Sequence, residues 1–274
     1  MCELLALSTS QPAQLTFSLH TLASRGSAAS TTHDGWGVAF YQGKDVALFR
    51  EPLAAGDSAL VRYLETQGPQ TQLAISHIRH ATQGAISFSN TQPFVRELGG
   101  QTHVFAHNGD LPNIQSCKAL ALGAYRPVGQ TDSEYAFCAL MERLRALWGS
   151  AEPPALDARL DLLASFASQL RALGPANFLY ADGDALFAHG DRRLQPDSGH
   201  AGPPGLWTLQ QHCAPADKPP GQQAGVAITQ EERTSLLVAS VPLNAEDWEP
   251  LGEGELVAVR HGELLARRSA NTAR

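Results

Sequence analysis

Residues 73 to 84 read Leu-Ala-Ile-Ser-His-Ile-Arg-His-Ala-Thr-Gln-Gly, so that an apolar run ending at Ile78 meets a polar cluster beginning at Arg79. The same arrangement recurs at His103-Val-Phe-Ala-His107, which leads into Asn108-Gly109. A short apolar run bounded by polar turn residues is typical of a buried β-strand. Both stretches therefore predict a strand that carries a polar cluster at its end.

Further short apolar runs flank these two strands. Residues 36 to 41 and 46 to 49 are separated by Gln-Gly-Lys-Asp, which predicts a β-hairpin. We expect a loop from Gly84 to Gly100 and a surface loop from His212 to Gly225, which is rich in Pro and Gly. More strands are predicted towards the end of the chain, at 177–180, 185–187, 206–209, 235–241 and 255–259.

Helical spacing of apolar residues occurs in three places. One is Gln14 to Ser24, and another is Leu156 to Leu173, which Gly174-Pro175 ends. The third begins at Thr131 or Asp132, either of which can cap a helix, with Glu134 placed for a capping box. Its apolar face is formed by Phe137, Met141, Leu144 and Trp148. Strands, a helix pair and strands again predict an α+β chain in which two sheets pack together with helices outside.

The composition narrows the class of protein. The chain has 274 residues, of which 43% are hydrophobic, and 20 Lys plus Arg against 27 Asp plus Glu give a formal net charge of −7. These values are typical of a globular protein and argue against a nucleic-acid partner, since nucleic-acid binders usually carry a basic face. No stretch approaches the roughly 18 apolar residues of a membrane span. We therefore expect neither nucleic acid nor a membrane as a partner.

The four cysteines lie at positions 2, 117, 138 and 213. They are too few and too scattered for a disulfide framework or a CxxC metal site. The first basic residue is Arg25, so the N-terminal region lacks the charged start of a secretory signal. We expect a reduced, cytoplasmic protein.

Cys2 is distinguished by its position. If Met1 is removed, Cys2 carries both a thiol and a free α-amine. The amine has an intrinsic pKa of roughly 7.7–8.0 and the thiol one of about 8.5, so the amine can accept the thiol proton near neutral pH. Cys2 is thus a candidate nucleophile, although a cysteine at this position taken alone is more often an ordinary small residue.

An acyl-transfer nucleophile also needs oxyanion donors and groups that hold its substrate. Asn108 and Gly109 offer a side-chain amide and a backbone N–H, or else an ordinary tight turn. Arg79 can hold a carboxylate or form a surface salt bridge, and Asp132 can accept an ammonium, cap a helix or do both. A carboxylate and an ammonium on one carbon are the head of an α-amino acid. Together the groups predict a γ-glutamyl substrate.

The candidate residues belong to six short motifs that occur in a fixed order. They are Met1-Cys2, Asp34-Gly35-Trp36-Gly37, His77-Ile-Arg79-His-Ala81-Thr82-Gln-Gly84, Asn90-Thr-Gln-Pro93-Phe94, His107-Asn108-Gly109 and Thr131-Asp132-Ser133-Glu134. In this order and spacing the chain resembles the class II glutamine amidotransferases, and most of all their small stand-alone, YafJ-type members. The resemblance implies the N-terminal-nucleophile hydrolase fold, a four-layer αββα sandwich of two mainly antiparallel sheets.

The resemblance also implies roles for the reacting groups. Cys2 would attack the γ-carboxamide carbon after removal of Met1, and Asn108 with the Gly109 N–H would stabilise the oxyanion. A γ-glutamyl thioester would form, and water would release glutamate.

A second group of residues would bind the substrate. Arg79, helped by Thr82, would hold the α-carboxylate, and Asp132 the α-amino group. His107 is grouped with these substrate-binding residues, and we expect it to orient the Asn-Gly turn.

Two positions depart from the pattern of the family. Gln83 and Gln92 stand where some members carry His. We do not expect either change to abolish the chemistry, because the α-amine would serve as the base. We expect no cofactor and no metal site, since His77 and His80 would point to opposite faces of a strand and no acidic or Cys ligand accompanies them.

The leading expectation is an enzyme that hydrolyses glutamine or a γ-glutamyl conjugate, with one glutamine amidotransferase type 2 domain over residues 2–274 and no appended synthase domain. Two other functions stay open at this point. One is a glutaminase subunit that donates ammonia to a separate synthase, and the other is a non-catalytic γ-glutamyl-binding protein. A homodimer and a synthase complex are both compatible with the sequence.

Overall fold

A computed structural model describes residues 2–15, 34–81, 83–150, 152–195, 198–213, 222–223, 226–227 and 233–270. In these ranges the helices are α1 (Ala59–Gln67), α2 (Asp132–Leu144) and α3 (Leu156–Arg171). The strands are β1 (Glu3–Gln14), β2 (Gly35–Gln42), β3 (Asp45–Glu51), β4 (Gln70–Arg79), β5 (Phe94–Leu98), β6 (Gln101–Gly109), β7 (Ala176–Ala181), β8 (Leu186–Gly190), β9 (Arg193–Leu194), β10 (Ala201–Gly202), β11 (Trp207–Cys213), β12 (Gln222–Gln223), β13 (Val226–Ala227), β14 (Arg233–Ala239), β15 (Glu249–Pro250), β16 (Glu255–Arg260) and β17 (Glu263–Arg268).

The first sheet has the strand order β15-β11-β14-β1-β4-β2-β3, with β13 paired to β1 and β12 to β13. Its neighbouring strands are antiparallel, as in β1 with β4, where Leu4 lies opposite His77. Strand β1 lies inside the sheet, between β14 and β4. The start of the chain is therefore held on both sides by later parts of the sequence.

The second sheet has the order β17-β16-β8-β7-β6-β5, again with antiparallel neighbours. Its edge hairpin, β5 with β6, turns at Gly99 and Gly100, whose φ angles are +65° and +75°. Consecutive residues at positive φ form the type of turn that matches strand twist, and glycine adopts it without steric cost.

Four layers result from the packing. Apolar residues of both sheets, among them Leu4 and Ala106, form one buried cluster between the sheets. Helices α2 and α3 cover the outer face of the second sheet through a cluster that contains Phe137 and Phe166. Helix α1 covers the first sheet through Val61 and Leu64. The order helix, sheet, sheet, helix confirms the expected α+β sandwich.

Most of the predicted elements are present. The hairpin of β2 and β3, the strands that end at Arg79 and Gly109, both middle helices and the later strands occur where the sequence places them. Thr131 caps α2, since its hydroxyl accepts a hydrogen bond from the Glu134 N–H at 3.2 Å. The Glu134 carboxylate does not close a capping box: it accepts from the N–H groups of Val128 and Gly129 and pairs with Arg96.

Three predictions need correction or lie partly outside the described residues. The loop expected from Gly84 to Gly100 contains β5. Only Phe94 of this strand is fully buried, so the sequence has no apolar run there that would indicate a strand. The helix predicted from Gln14 to Ser24 does not begin at Gln14, which is the last residue of β1. The part of this prediction beyond residue 15 lies outside the described residues. His212 lies in β11, and much of the loop predicted from there to Gly225 is outside the described residues.

No helix in the described ranges is both long and apolar enough to cross a membrane.

Candidate active site

Strand alternation brings Cys2 and Asn108 to the same end of the sandwich. Successive side chains of a strand point to opposite faces. Leu4 on β1 and Ala106 on β6 both lie in the cluster between the sheets, so the residues two positions further out, Cys2 and Asn108, face the same space. The Asn108 side-chain amide donates a hydrogen bond of 2.6 Å to the Cys2 carbonyl oxygen. Arg79, at the end of β4, lies beside them, opposite Gly35 of β2.

The Cys2 thiol is half-buried and contacts backbone groups. Its Sγ atom accepts a hydrogen bond from the His80 N–H at 3.3 Å and donates to the His80 carbonyl oxygen at 3.4 Å. Burial raises the pKa of the Cys2 thiol above its ordinary value, more than the His80 N–H lowers it. The thiol is therefore protonated near neutral pH, and its use as a nucleophile requires a base.

Arg79 is buried and fixes the loop that follows β4. Its guanidinium donates to the carbonyl oxygens of Gln83, Gly84 and Ala85 at 2.9, 3.1 and 3.2 Å. Burial lowers the pKa of this guanidinium, with the Cys2 and Asp34 charges acting in the opposite direction. Of the two roles that the sequence allows, a surface salt bridge is wrong, because the side chain is buried and bonds to backbone carbonyls. The predicted contact of Arg79 with a substrate carboxylate stays a prediction.

Asp34, the first residue of the Asp-Gly-Trp-Gly motif, supports the same loop. Its carboxylate accepts from the Ala81 N–H at 2.7 Å, and its own N–H donates to the Arg79 carbonyl at 2.9 Å. Sequence reasoning placed Asp34 in a motif without assigning it a position in the site. Thr82, the predicted helper of Arg79, lies outside the described residues.

Asp132 lies at the start of α2 and bonds to backbone. One carboxylate oxygen accepts from the Leu111 N–H at 2.8 Å, and the other from the Ser133 N–H at 2.7 Å. Leu111 follows Gly109 by two residues, so Asp132 fixes the backbone just after the two candidate oxyanion donors, Asn108 and Gly109. The predicted ammonium contact of Asp132 stays a prediction.

The His107 ring lies on the helix side of β6. It is buried, stacks on Phe105 and makes a 2.9 Å hydrogen bond from Nδ1 to the Ser133 hydroxyl. Burial lowers the pKa of His107, against the attraction of Asp132. These contacts fit the expectation that His107 orients the turn that follows it, whereas a contact with substrate stays a prediction.

Gln92 and Asn90 hold the surrounding loops, although neither is a candidate site residue in the sequence. The Gln92 side chain accepts from the His107 N–H at 2.6 Å and donates to the His107 carbonyl at 3.1 Å. Asn90 donates to the Ala85 carbonyl at 2.9 Å and accepts from the Gln130 N–H at 2.8 Å. Both belong to the Asn90 to Phe94 motif, so the motif itself was the signal. Gln83, the other departure, donates to Asp110 at 2.8 Å.

Asn177 supports the backbone of Asn108 from the neighbouring strand β7. Its amide donates to the Asn108 carbonyl at 3.1 Å and to the Arg192 carbonyl at 2.8 Å, while its oxygen accepts from the Asp191 N–H at 2.7 Å. Nothing in the sequence marks Asn177 beyond its place in a predicted strand. Its partners are distant in the chain, and the pairing of β7 with β6 on one side and with β8 on the other brings them together.

Gly109 has no room for a side chain. A Cβ atom there would lie 1.8 Å from the Pro175 carbonyl oxygen. The close approach of the two strands at this point therefore requires glycine next to Asn108.

His77, considered as a metal ligand at the sequence level, is fully buried, and burial lowers its pKa to about 3. In the part of the chain that the structure describes, no group of three or more His, Cys, Asp and Glu side chains is arranged to hold a metal ion. The expectation that the protein needs no metal stays a prediction.

Comparison with known proteins agrees with this geometry. A sequence profile described as "Glutamine amidotransferases class-II" matches residues 1–274. The chain is 33% identical over 256 residues to "Putative glutamine amidotransferase YafJ" of Escherichia coli (strain K12), covering 93% of this chain and 96% of the relative.

Solved structures show the same fold. A crystal structure of a "predicted glutamine amidotransferase" from Pseudomonas aeruginosa PA01 superposes with a TM-score of 0.69 at 34% identity, covering 97% of this chain and all of that one. The glutamine phosphoribosylpyrophosphate amidotransferase of B. subtilis is similar in fold alone, with a TM-score of 0.58 at 15% identity over 99% of this chain and 50% of its own. These neighbours have the N-terminal-nucleophile hydrolase fold. The chain belongs to the class II glutamine amidotransferases.

Proposed function

We propose that the protein hydrolyses γ-glutamyl amides, glutamine or a γ-glutamyl conjugate, with Cys2 as an N-terminal nucleophile. The observation that carries the proposal is the meeting of Cys2 and Asn108 at one end of the two sheets, joined by the 2.6 Å hydrogen bond. A thiol beside an amide donor and a glycine N–H is the arrangement that acyl transfer requires.

The position of Cys2 explains how a protonated thiol can react. After removal of Met1, the α-amine of Cys2 lies on the same residue as the thiol. Its intrinsic pKa of roughly 7.7–8.0 allows it to take the thiol proton near neutral pH. This base is needed because burial raises the pKa of the thiol.

The reaction then proceeds in two steps. The thiol gives its proton to the α-amine while sulfur bonds to the γ-carbonyl carbon, and the carbonyl oxygen becomes an oxyanion held by Asn108 and the Gly109 N–H. The α-ammonium returns the proton to the leaving nitrogen, the C–N bond breaks, and ammonia or an amine departs. Water next attacks the thioester, giving its proton through the amine to sulfur, and glutamate leaves with the thiol restored.

Arg79 and Asp132 supply the charges for the amino-acid head of the substrate. Arg79 would bind the α-carboxylate, and a guanidinium has five N–H donors, enough to hold both its loop carbonyls and a ligand. Asp132 would accept from the α-ammonium with the remaining lone pairs of its carboxylate. Binding of the head by these two groups selects a free α-amino acid end.

The test is release of glutamate from glutamine and from a panel of γ-glutamyl peptides, using protein whose intact mass shows loss of Met1. We expect Cys2→Ala to lose activity by at least about a thousandfold, because it removes the nucleophile. Cys117→Ala is the matched control, since Cys117 is also half-buried, and it should keep wild-type turnover. Equal turnover by Cys2→Ala and the wild type would refute the proposal.

A further inference from the structure

The residue that follows Cys2 in the chain belongs to a buried ion pair. Glu3, the next residue in the chain, pairs with Arg193 at 2.7 Å, and the two side chains are 1% and 2% exposed. None of the six sequence motifs contains Arg193, which lies in the short strand β9. The residue reaches Glu3 across 190 positions of sequence.

Arg193 holds more than the carboxylate. Its guanidinium also donates to the Ser240 carbonyl oxygen at 2.5 Å. Ser240 in turn bonds to Leu4 through both its hydroxyl, which accepts from the Leu4 N–H at 2.9 Å, and its N–H, which donates to the Leu4 carbonyl at 3.0 Å. The two residues that follow Cys2 are thereby fixed in backbone and side chain.

The residues just before Arg193 hold the other half of the site. Asp191 and Arg192 bind the Asn177 amide through the Asp191 N–H and the Arg192 carbonyl, and Asn177 donates to the Asn108 carbonyl. Asp191, fully buried, is itself anchored to Arg171 of α3 at 2.8 Å. Three consecutive residues, 191 to 193, thus connect the nucleophile strand of one sheet to the oxyanion strand of the other.

A buried ion pair is a costly way to stabilise a fold, because well-packed apolar residues of similar volume often serve as well. The placement of this pair next to Cys2 gives it a more specific use. We propose that Arg193 is a positioning residue that, through Glu3, sets the distance between the Cys2 thiol and Asn108. The proposal rests on the function proposed above.

The test replaces the pair without leaving a lone buried charge. The double variant Glu3→Gln, Arg193→Met removes both charges. The chain offers a control in Arg159, which pairs with Asp182 at 2.8 Å, the two side chains being 2% and 0% exposed. Arg159 also pairs with Asp184, which keeps its pair with Arg260 in the control. Asp182 follows β7 at the end opposite Ala176, which pairs with Gly109. The control variant is Arg159→Met, Asp182→Asn.

Three quantities are measured for both doubles and the wild type: the melting temperature, kcat and KM for glutamate release, and the rate at which iodoacetamide labels Cys2 and Cys117. We expect the Glu3, Arg193 double to lose at least about tenfold in kcat with KM changed by less than about threefold, because a small displacement of a reacting atom costs rate more than binding. The control should keep kcat even where its melting temperature falls equally.

Labelling of Cys2, which requires no substrate, separates this inference from the proposed function. If the wild type releases no glutamate from any substrate, the proposed function fails. The positioning role is still supported in that case if the Glu3, Arg193 double changes the labelling rate of Cys2 and leaves that of Cys117 unchanged. If the double does not fold, Glu3→Asp, which keeps both charges and moves the carboxylate, replaces it with the same expectations. The inference is overturned if the folded variant keeps both kcat and Cys2 labelling within about twofold of the wild type.

Discussion

The Cys2 sulfur contacts the N–H and the carbonyl of His80, and neither group can take its proton at neutral pH. Several side chains of the site accept hydrogen bonds from backbone N–H groups: Asp34 from Ala81, Gln92 from His107, and Asp132 from Leu111. Such contacts fix positions without supplying reactive groups. At the scale of single residues, the roles of the α-amine as base and of Asn108 as amide donor stay part of the proposed reaction.

Replacing Asn108 by Ala removes that donor. We expect kcat for glutamate release to fall by about 10²–10³, with a smaller change in KM, because the donor acts on charge that develops in the transition state. Steady-state kinetics measures both constants. Asn244→Ala is the control: Asn244 bonds to Trp248 and Glu246, so its loss should leave kcat unchanged. An unaltered kcat in Asn108→Ala would show that the oxyanion is held elsewhere.

At the scale of elements, the site depends on the close approach of the segment after β10 to strand β7. A Cβ atom on Gly205 would lie 1.7 Å from the Asn177 amide oxygen. Gly202, three residues earlier, has its nearest such neighbour at 4.0 Å, in the Gln195 side chain. A side chain therefore fits at Gly202 but not at Gly205, and only Gly205 contacts Asn177, the residue that bonds to the Asn108 backbone.

Gly205→Ala should displace Asn177 and weaken its hold on Asn108. We expect a loss of about 1–3 kcal/mol in the free energy of unfolding, since overpacking a tight contact costs this much, together with a lower kcat. Gly202→Ala should change neither quantity appreciably. Denaturant unfolding and glutamate release measure the two effects, and equal behaviour of the two variants would contradict the prediction.

Elements with strong apolar patterns were predictable, and those without were not. Helix α2 follows from its capping residue and apolar face, and β4 and β6 from continuous buried runs. Strand β5 buries Phe94 and little else, and β17 alternates exposed residues, among them Arg267, with half-buried ones, so the apolar pattern indicates neither strand. Strand β1 was also missed, although the structure buries most of its first residues.

The candidate site was predictable to the extent that its motifs are local. The sequence predicts Cys2, Arg79, Asn108 and Asp132 as site residues. The fold places the first three at one end of the sandwich, and it places Asp132 at the start of α2. Asn177 and Arg193 were not predicted, because their contacts join residues 69 and 190 positions apart. Contacts of this kind arise from the tertiary fold, which a single sequence does not reveal.

At the scale of the whole molecule, the described part of the chain buries four histidines in the two sheets: His77, His103, His107 and His189. Burial lowers the pKa of each, to about 3 for His77 and about 4 for His189. Below about pH 6.5 the unfolded chain therefore binds protons on these residues more readily than the folded chain does. The folded state is therefore favoured above that pH and loses stability as the pH falls through it.

Denaturant unfolding at neutral pH and at a series of lower values should show this decline. His77 and His189 each contribute a loss of about 1.4 kcal/mol per pH unit when the pH is well below about 6.5 and still above their folded-state pKa values of about 3 and about 4. His189→Asn, which keeps a donor for the Ala176 carbonyl that Nδ1 now contacts at 2.7 Å, should reduce the slope by about that amount. Burial raises the pKa of Glu3, so Glu3 makes the folded state more stable as the pH falls. This contribution is the same in the wild type and in His189→Asn, and it does not affect the difference between their slopes. A slope that the substitution leaves unchanged would contradict the assignment.

The position of β1 inside the first sheet has a consequence for synthesis of the protein. Strand β1 is translated first, but its neighbour β14 begins at residue 233, and Leu4 bonds to Ser240. These partners do not exist until most of the 274 residues have been translated, and pairing between such distant segments forms slowly. Strand β1 can pair with β4 early, but the contacts of Leu4 with Ser240 form only after residue 240 has been translated, so we expect Cys2 to be fixed in place late in synthesis.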